Sequence, residues 1–373
     1  YLRLHDIFIK FGYHRITKKF NLLCIFFHIL CYLLQLYYLI IKFNRPLVMR
    51  YSFVMLFVLY MIFAMIYLTA IEKKVAAGSN QFSKFAWSLD SAGDNVKRMI
   101  LEKSARNNKI NYVVLLSAVF TIFINFPIWE DQNELFLCIQ VFEHFFDKFS
   151  KIPYLVYCAT MPYVCYAGFR LTFILLYFIF GVKEQIFLLN ESILQISDDF
   201  SHLEDFDKIR NVAYQKTMYD RLRFYIRQHC EIKSYVENMY KLVRTAMPFV
   251  LILGGLVTIS VFFFILDNFV TMSNILAIRI FSILYCNIYL VGIFCRAGQE
   301  IVNETGRIHD ALVCCPWHVW NVKNRKTLLI FMTNSLEPLS FDFAGITIDF
   351  KLAVPVARIC FSYALVFYKL SNQ

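Results

Sequence analysis

Long apolar segments dominate the chain, and they limit the folds that it can adopt. A helix needs roughly 20 apolar residues to cross the hydrocarbon core of a membrane. Six segments reach this length, at about 20–42, 51–71, 111–129, 154–182, 245–267 and 274–296. A seventh, at about 344–370, is interrupted by charged residues and a proline, and we count it as an unusual span. The sequence therefore predicts an all-α, polytopic membrane protein with seven transmembrane helices.

The composition favours a membrane protein over a soluble one. Only 17% of the residues are charged, whereas a soluble domain usually carries about 25%. The chain also has 40 Phe and 23 Tyr, more ring surface than a soluble core of this size could bury. The net charge of +11 does not indicate nucleic-acid binding, because the Lys and Arg residues form short clusters between the apolar segments. We therefore expect membrane lipid as a partner and no nucleic acid.

The distribution of positive charge predicts the orientation of the chain. Cytoplasmic loops carry an excess of Lys and Arg. If the N-terminus is cytoplasmic, the inner segments hold 28 of these residues and the outer segments hold 6. Leaving out the long segment 183–244 still leaves 18 against 6. We therefore predict a cytoplasmic N-terminus and an extracellular C-terminus, the opposite of a G-protein-coupled receptor.

Two local patterns concern the processing of the chain. The glycosylation sequons Asn190-Glu191-Ser192 and Asn303-Glu304-Thr305 fall on segments predicted to be cytoplasmic, so we interpret them as chance matches. The first apolar segment is longer than the core of a signal peptide, so no cleavable signal is expected. Because the chain begins at Tyr1 and not at Met, we expect a few residues before it.

The predicted cytoplasmic segments read as helices and not as flexible linkers. In segment 183–244, apolar residues such as Ile186, Leu189 and Ile193 recur at helical spacing. Segment 297–336 also looks helical, and four of its apolar residues need a partner there. They are Leu328, Leu329, Phe331 and Met332. We infer one packed intracellular helical domain.

No pattern typical of an enzyme or a metal site is present in the sequence. The eight His residues form no HxxH, HxxxH or HExxH pattern. GxSxG, P-loop and GxGxxG patterns are also missing. The 11 Cys residues are scattered without a CxxC, and those in apolar segments are most simply buried free thiols. We therefore expect no catalytic activity, no metal and no cofactor.

The seventh apolar segment places basic and hydroxyl residues on one face of a helix. Steps of three or four residues keep them on one stripe at about 100° per residue. This polar stripe consists of Lys351, Pro355, Arg358, Ser362, Val366 and Lys369. Charge inside a membrane usually faces protein or water, so the stripe suits the wall of a water-filled pore. The alternative is that Lys351 and Lys369 reach the two membrane surfaces and Arg358 pairs with a neighbouring helix.

The C-terminal third resembles the closing region of the insect odorant-receptor family. The resemblance covers about a fifth of the chain in motifs and nearly all of it in topology. Its motifs are Ala297-Gly298-Gln299-Glu300, Ala311-Leu312, Trp317, the basic helix Lys323-Asn324-Arg325-Lys326-Thr327-Leu328-Leu329, Glu337-Pro338-Leu339, Gly345 and Ser362-Tyr363. Two positions depart from the family. Glu337 precedes Pro338 where Lys is common, and Lys369 stands where the shared co-receptor has Gln.

The resemblance implies a tetrameric, ligand-gated, non-selective cation channel with one seventh helix per subunit around the pore. By similarity the gate lies at Val366 and Leu370, and a narrow apolar ring closes it by dewetting. Arg358, Ser362 and Lys369 are expected to face the same pore.

The resemblance also implies a conserved co-receptor as the partner in a heterotetramer, in the plasma membrane of a sensory-neuron dendrite. Segment 183–244 lacks the co-receptor's long insertion, so we interpret the chain as an odorant-tuning subunit. Residues 1–296 then form six transmembrane helices with the odorant pocket and cytoplasmic helix extensions. Residues 297–373 form an anchor segment and the pore-lining seventh helix.

A volatile hydrophobic odorant is expected, by the same resemblance, in a closed apolar cavity in the outer half of spans two to six. The direction in which each span crosses the membrane indicates which of its residues lie about two helical turns below the outer surface. At that depth, aromatic rings and sulfur offer contacts to a ligand without requiring a charged partner. These residues are Phe57, Tyr60, Phe120, Thr121, Met161, Tyr166, Phe264, Ile278 and Phe281. The alternative for each is packing against another helix or lipid.

Other classes of membrane protein are weighed against this reading. An insect gustatory receptor has the same topology and mechanism, but its family tends to end in Thr-Tyr followed by Gln-Phe, unlike Ser362-Tyr363 and Lys369-Leu370 here. A G-protein-coupled receptor needs an extracellular N-terminus, which the charge distribution disfavours. A polytopic lipid enzyme lacks its metal or nucleophile motif, and a carrier would be expected to show an internal repeat.

Overall fold

A computed structural model describes residues 6–87, 94–126, 136–270, 272–343 and 346–371. The described part is almost wholly helical. Its α-helices are α1 (Arg15–Ile41), α2 (Arg45–Phe85), α3 (Asp94–Ile124), α4 (Leu137–Phe146), α5 (Lys151–Leu194), α6 (Asp205–Arg210), α7 (Val212–Arg244), α8 (Met247–Asn268), α9 (Asn274–Val313), α10 (Val322–Asn334) and α11 (Phe350–Ser371). Two short antiparallel strands, β1 (Asp342–Phe343) and β2 (Ile346–Thr347), precede α11.

Seven of these helices are long and apolar enough to cross a membrane: α1, α2, α3, α5, α8, α9 and α11. The predicted number of spans and the all-α class are confirmed. The predicted start of the seventh span is wrong, because the helix begins at Phe350 and not near residue 344. Among the described residues just before α11, Ile346–Thr347 forms β2, and Ile348 N donates to Phe341 O at 3.0 Å.

Several helices are much longer than a membrane is thick. Helices α5 and α9 have 44 and 40 residues, so each is roughly 60 Å long. Their second halves pack with α7 and α10 at one end of the bundle, which we call the extended end. At the opposite end the short helix α4 packs against α1 and α5. The sequence analysis did not predict α4.

The extended end contains most of the largest apolar core. Ile186 of α5, Leu222 of α7, Ile301 of α9 and Leu328 of α10 are all buried in one cluster. Trp320 Nε1 donates to Tyr214 Oη at 3.0 Å inside the same region. The helices predicted in segments 183–244 and 297–336 are thus present and packed.

One residue of the predicted packing set points away from this core. Leu328 and Phe331 of α10 are buried, and Met332 packs against the cluster. Leu329 is 64% exposed. It lies about 100° around the helix from Leu328, at the edge of the buried face. Leu329 therefore does not pack in the core of the extended end, and its expected partner is not found within this core.

Candidate functional site

A cavity lies between the spans in the half of the bundle that is opposite the extended end. Five spans and the start of α4 contribute to its wall. About 80 Å³ of its interior can hold the centre of a water-sized molecule. One water needs roughly 10–15 Å³ on that measure, so the cavity has room for a small organic molecule.

The wall of the cavity is almost entirely apolar. Helix α2 supplies a face with the spacing i, i+1, i+4 and i+5, and α5 supplies a similar face around Pro162 inside the helix. The lining residues are Phe53, Val54, Phe57, Val58, Thr121, Ile122, Asn125, Phe126, Phe136, Tyr157, Cys158, Met161, Pro162, Cys165, Phe169, Val257 and Ile283. Such a wall attracts a hydrophobic molecule and offers little to a charged one.

The main polar group at the wall lies where α3 ends. Thr121 Oγ1 donates to Ser117 O of its own helix at 2.9 Å. Asn125 Nδ2 donates to Thr121 O at 2.9 Å and to Ser282 Oγ of α9 at 3.3 Å. These bonds fix the Asn125 amide between two helices and leave it at the cavity wall.

Three of the nine predicted odorant-site residues line this cavity: Phe57, Thr121 and Met161. Among the other six, Tyr166 and Phe264 make side-chain contacts with other residues of the chain. Tyr166 Oη donates to Ile7 O at 2.7 Å, and the Phe264 ring packs on Phe53 at 5.0 Å between centroids.

The remaining four residues lie at helix contacts or on the outer surface of the bundle. Tyr60 packs in a cluster that includes Met61 and Val164. Phe120, Ile278 and Phe281 are exposed on the bundle surface. The part played by any of the nine residues in odorant binding stays a prediction.

Sequence reasoning missed most of the lining residues, including Asn125 and Phe169. On α5 it mixed two faces, because Tyr166 is about 140° around the helix from Met161. On α2, Tyr60 is only about 60° around the helix from Phe57, but it packs one turn further along with Met61 and Val164. The available signals were the proline inside the fourth apolar segment and the lone polar Asn125 at the end of the third.

Helix α11 exposes the polar stripe because it packs through its opposite face. Cys360 and Ala364 are buried, and Cys360 Sγ lies 3.9 Å from Gly255 O of α8. Ser362 is about 200° around the helix from Cys360. All six residues of the stripe, and Leu370, are exposed in the single chain. The stripe therefore faces away from its own subunit.

The cavity and α11 share a neighbour, because α8 borders both. Val257 of α8 lines the cavity, and Gly255, two residues earlier, accepts from Cys360 of α11. The rings of Phe262 and Phe361 also meet edge to face at 5.7 Å. Helix α8 is therefore in contact with both the cavity and α11.

Residues of the C-terminal motifs make contacts within the extended end, and one of them lies against the base of α11. A methyl group on Gly298 would lie 1.9 Å from Ile348 O, in the connection that leads into α11. Glu300 forms ion pairs with the largely buried Lys183 and with Arg296, the latter at 3.0 Å. Arg325 Nη2 donates to His318 O at 2.8 Å. Gly345 lies outside the described residues.

Nothing in the described part of the chain suggests a metal centre. No group of three or more His, Cys, Asp and Glu side chains is placed there to hold a metal ion. Seven helices that can cross a membrane, five of which line an internal apolar cavity, define a multi-pass membrane protein with room for a small hydrophobic molecule.

Comparison with known proteins identifies the family. The model of the 7tm odorant receptor family matches residues 44–361, which is most of the chain. The chain therefore belongs to this family, which consists of receptors and not of enzymes. No curated protein matches its sequence.

The fold is similar to that of the insect olfactory receptor OR5 from Machilis hrabei. That structure matches with a TM-score of 0.75 and 12% identity, over 99% of this chain and 97% of the other. The same receptor in complex with eugenol matches with a TM-score of 0.74 and the same identity and coverage. These findings confirm the predicted family and fold, and neither supports the gustatory-receptor or G-protein-coupled-receptor alternatives.

Proposed function

We propose that the chain is an odorant-tuning subunit that gates a non-selective cation channel together with the conserved co-receptor. Its ligand is a small, volatile, hydrophobic molecule that binds in the cavity between α2, α3, α5, α8 and α9. The apolar wall supports this assignment. So does the similar receptor that was solved in complex with eugenol.

The observation that carries the channel proposal is the outward-facing polar stripe of α11. A charged side chain at the centre of a lipid bilayer costs about 2.5–3.5 kcal/mol by insertion scales. Arg358 lies in the middle of α11 and is exposed in the single chain. A water-filled pore shared with other subunits removes this cost, and we place Arg358, Ser362, Val366, Lys369 and Leu370 on its wall.

A heterotetramer also explains exposed apolar residues at the extended end. Leu329, Ile330 and Leu336 are all exposed there, beyond the apolar half of α9. Apolar groups that face neither lipid nor a protein core typically mark an interface. We propose that this surface anchors the chain to its neighbours on the cytoplasmic side, in the plasma membrane of a sensory-neuron dendrite.

The function is tested by recording odorant-evoked current in cells that express this chain with the co-receptor, across a broad odorant panel. We expect at least one odorant to open a cation current that the co-receptor alone does not give, because the tuning cavity belongs to this chain. A direct agonist of the co-receptor controls for channel expression. If this agonist works and labelled chain is at the surface, yet no odorant of the panel evokes current, the proposal is wrong.

The proposed orientation is tested by epitope accessibility on intact cells. A C-terminal epitope should bind antibody without permeabilisation and an N-terminal one should not, because 28 of the loop Lys and Arg residues lie on the N-terminal side and 6 on the other. Asn190 and Asn303 should show no glycosidase-sensitive shift. Asn190 is also buried, with Nδ2 donating to Glu304 O at 2.8 Å. Labelling of the reverse pattern would contradict the orientation and the channel proposal with it.

A further inference from the structure

Asn125 holds its amide in one orientation at the cavity wall. Nδ2 carries two hydrogens, and both are used: one bond goes to Thr121 O at 2.9 Å and one to Ser282 Oγ at 3.3 Å. Turning the amide over would set Oδ1 against the Thr121 carbonyl oxygen, which only accepts hydrogen bonds. The acceptor end of the amide is therefore fixed as well.

That acceptor has no partner in the described part of the chain. Asn125 Oδ1 is buried and accepts no hydrogen bond from any described residue. A buried acceptor without a donor is costly, and the surrounding wall is apolar, with Ile122, Phe126 and Phe169 among its residues. A molecule in the cavity that brings a donor removes this cost, whereas one without a donor leaves it in place.

We propose that the cavity selects odorants that carry a hydroxyl group, and that Asn125 Oδ1 accepts the hydrogen bond. This inference rests on the proposed function of the cavity as the odorant site. The hydrocarbon part of the alcohol contacts Phe57, Met161 and Val257. Asn125 is thus a specificity-determining residue, fixed in place before the ligand arrives.

The apolar wall favours a neutral donor such as a hydroxyl over a charged one. An ammonium group would also donate, but burying its charge in an apolar wall costs far more than one hydrogen bond returns. Ethers, ketones and esters only accept, so they leave Oδ1 unpaired. An alcohol that displaces water from Oδ1 brings an equivalent donor, whereas an ether that displaces water brings none.

The test compares alcohols from 1-butanol to 1-octanol with their isomeric methyl ethers in cells that express the chain with the co-receptor. Each pair has the same atoms and nearly the same shape, so hydrogen-bond donation is the main difference. We expect the half-maximal concentration of the best alcohol to be about tenfold lower than that of its ether, equivalent to about 1.4 kcal/mol. Asn125→Leu should remove the difference, mainly by weakening the alcohol.

Phe57→Leu is the matched control, because it changes the size of the same cavity without changing hydrogen bonding. It should shift both members of a pair alike. Equal wild-type responses to alcohol and ether, or stronger responses to the ether, would overturn the inference even if Asn125→Leu fails to reach the surface. So would an Asn125→Leu receptor at the surface that keeps the difference. If no odorant of any class evokes current while the co-receptor responds to its own agonist, the proposed function fails and the inference fails with it.

Discussion

Gly298→Ala is expected to reduce both surface expression and odorant-evoked current several-fold. The added methyl group would lie 1.9 Å from Ile348 O and 3.0 Å from the carbonyl carbon of the same residue. Both atoms belong to the backbone, so the connection into α11 must move as a unit. Forced overpacking of this kind typically costs about 1–3 kcal/mol. Because the connection leads into α11, which we propose lines the pore, we expect the current per surface receptor to fall as well.

Two glycines of the same helix provide matched controls for Gly298→Ala. Methyl groups on Gly292 and Gly306 of α9 would meet no atom within 4 Å. Alanine is favoured over glycine in a helix interior by about 1 kcal/mol, so Gly292→Ala and Gly306→Ala should leave expression equal or improved. Surface biotinylation and normalised current measure the outcome. Wild-type behaviour of Gly298→Ala would show that the contact with Ile348 does not hold α11 in place.

Val366→Ser is expected to raise the odorant-independent current several-fold relative to the maximal odorant response. Val366 is 51% exposed in the single chain and lies near the C-terminal end of the polar stripe. If an apolar ring that includes Val366 closes the pore by dewetting, a hydroxyl in that ring hydrates the constriction. The co-receptor subunits keep their own residues, so the effect measures only the share of the ring that this chain supplies.

Val354→Ser makes the same chemical change at a position away from the proposed gate. Val354 is also exposed on α11, but it lies 12 residues before Val366, roughly 18 Å along the helix. We expect its basal current and odorant sensitivity to match the wild type. Equal basal currents in both variants and the wild type would move the gate away from Val366. A changed odorant sensitivity with unchanged basal current would instead make Val366 a packing residue.

The number and place of the spans could be predicted from the sequence because both are set by a local property. The hydrocarbon thickness fixes the length of an apolar run, whatever the neighbouring helices do. The extended helices were also predictable, since Ile186, Leu189 and Ile193 repeat at helical spacing. Local pattern could not reveal that α11 begins only at Phe350, because apolar residues such as Ile346, Ile348 and Leu352 occur on both sides of the helix start.

The composition of the cavity was decided by the tertiary structure. The five spans around the cavity are largely apolar on all sides, so their sequences do not distinguish the face toward the cavity from the face toward lipid. Phe57 and Tyr60 are equally plausible as sequence, and only the packing of α2 against α5 and α8 places Phe57 at the cavity. The free acceptor of Asn125 is likewise invisible in sequence, because its other bonds depend on Ser282, which lies 157 residues away.

The sequence by itself determined a seven-span helical protein of the odorant-receptor family and the periodic stripe on its last helix. Whether that stripe is buried or exposed depends on which face of α11 packs against the rest of the chain. In the structure the packed face carries the buried residues Cys360 and Ala364, and Cys360 contacts α8. The physical reason is the range of the forces involved. The free energy of transferring a segment into lipid is a sum over residues that are neighbours in the chain. A cavity wall, or the choice of which helix face stays uncovered, depends instead on how distant segments pack together.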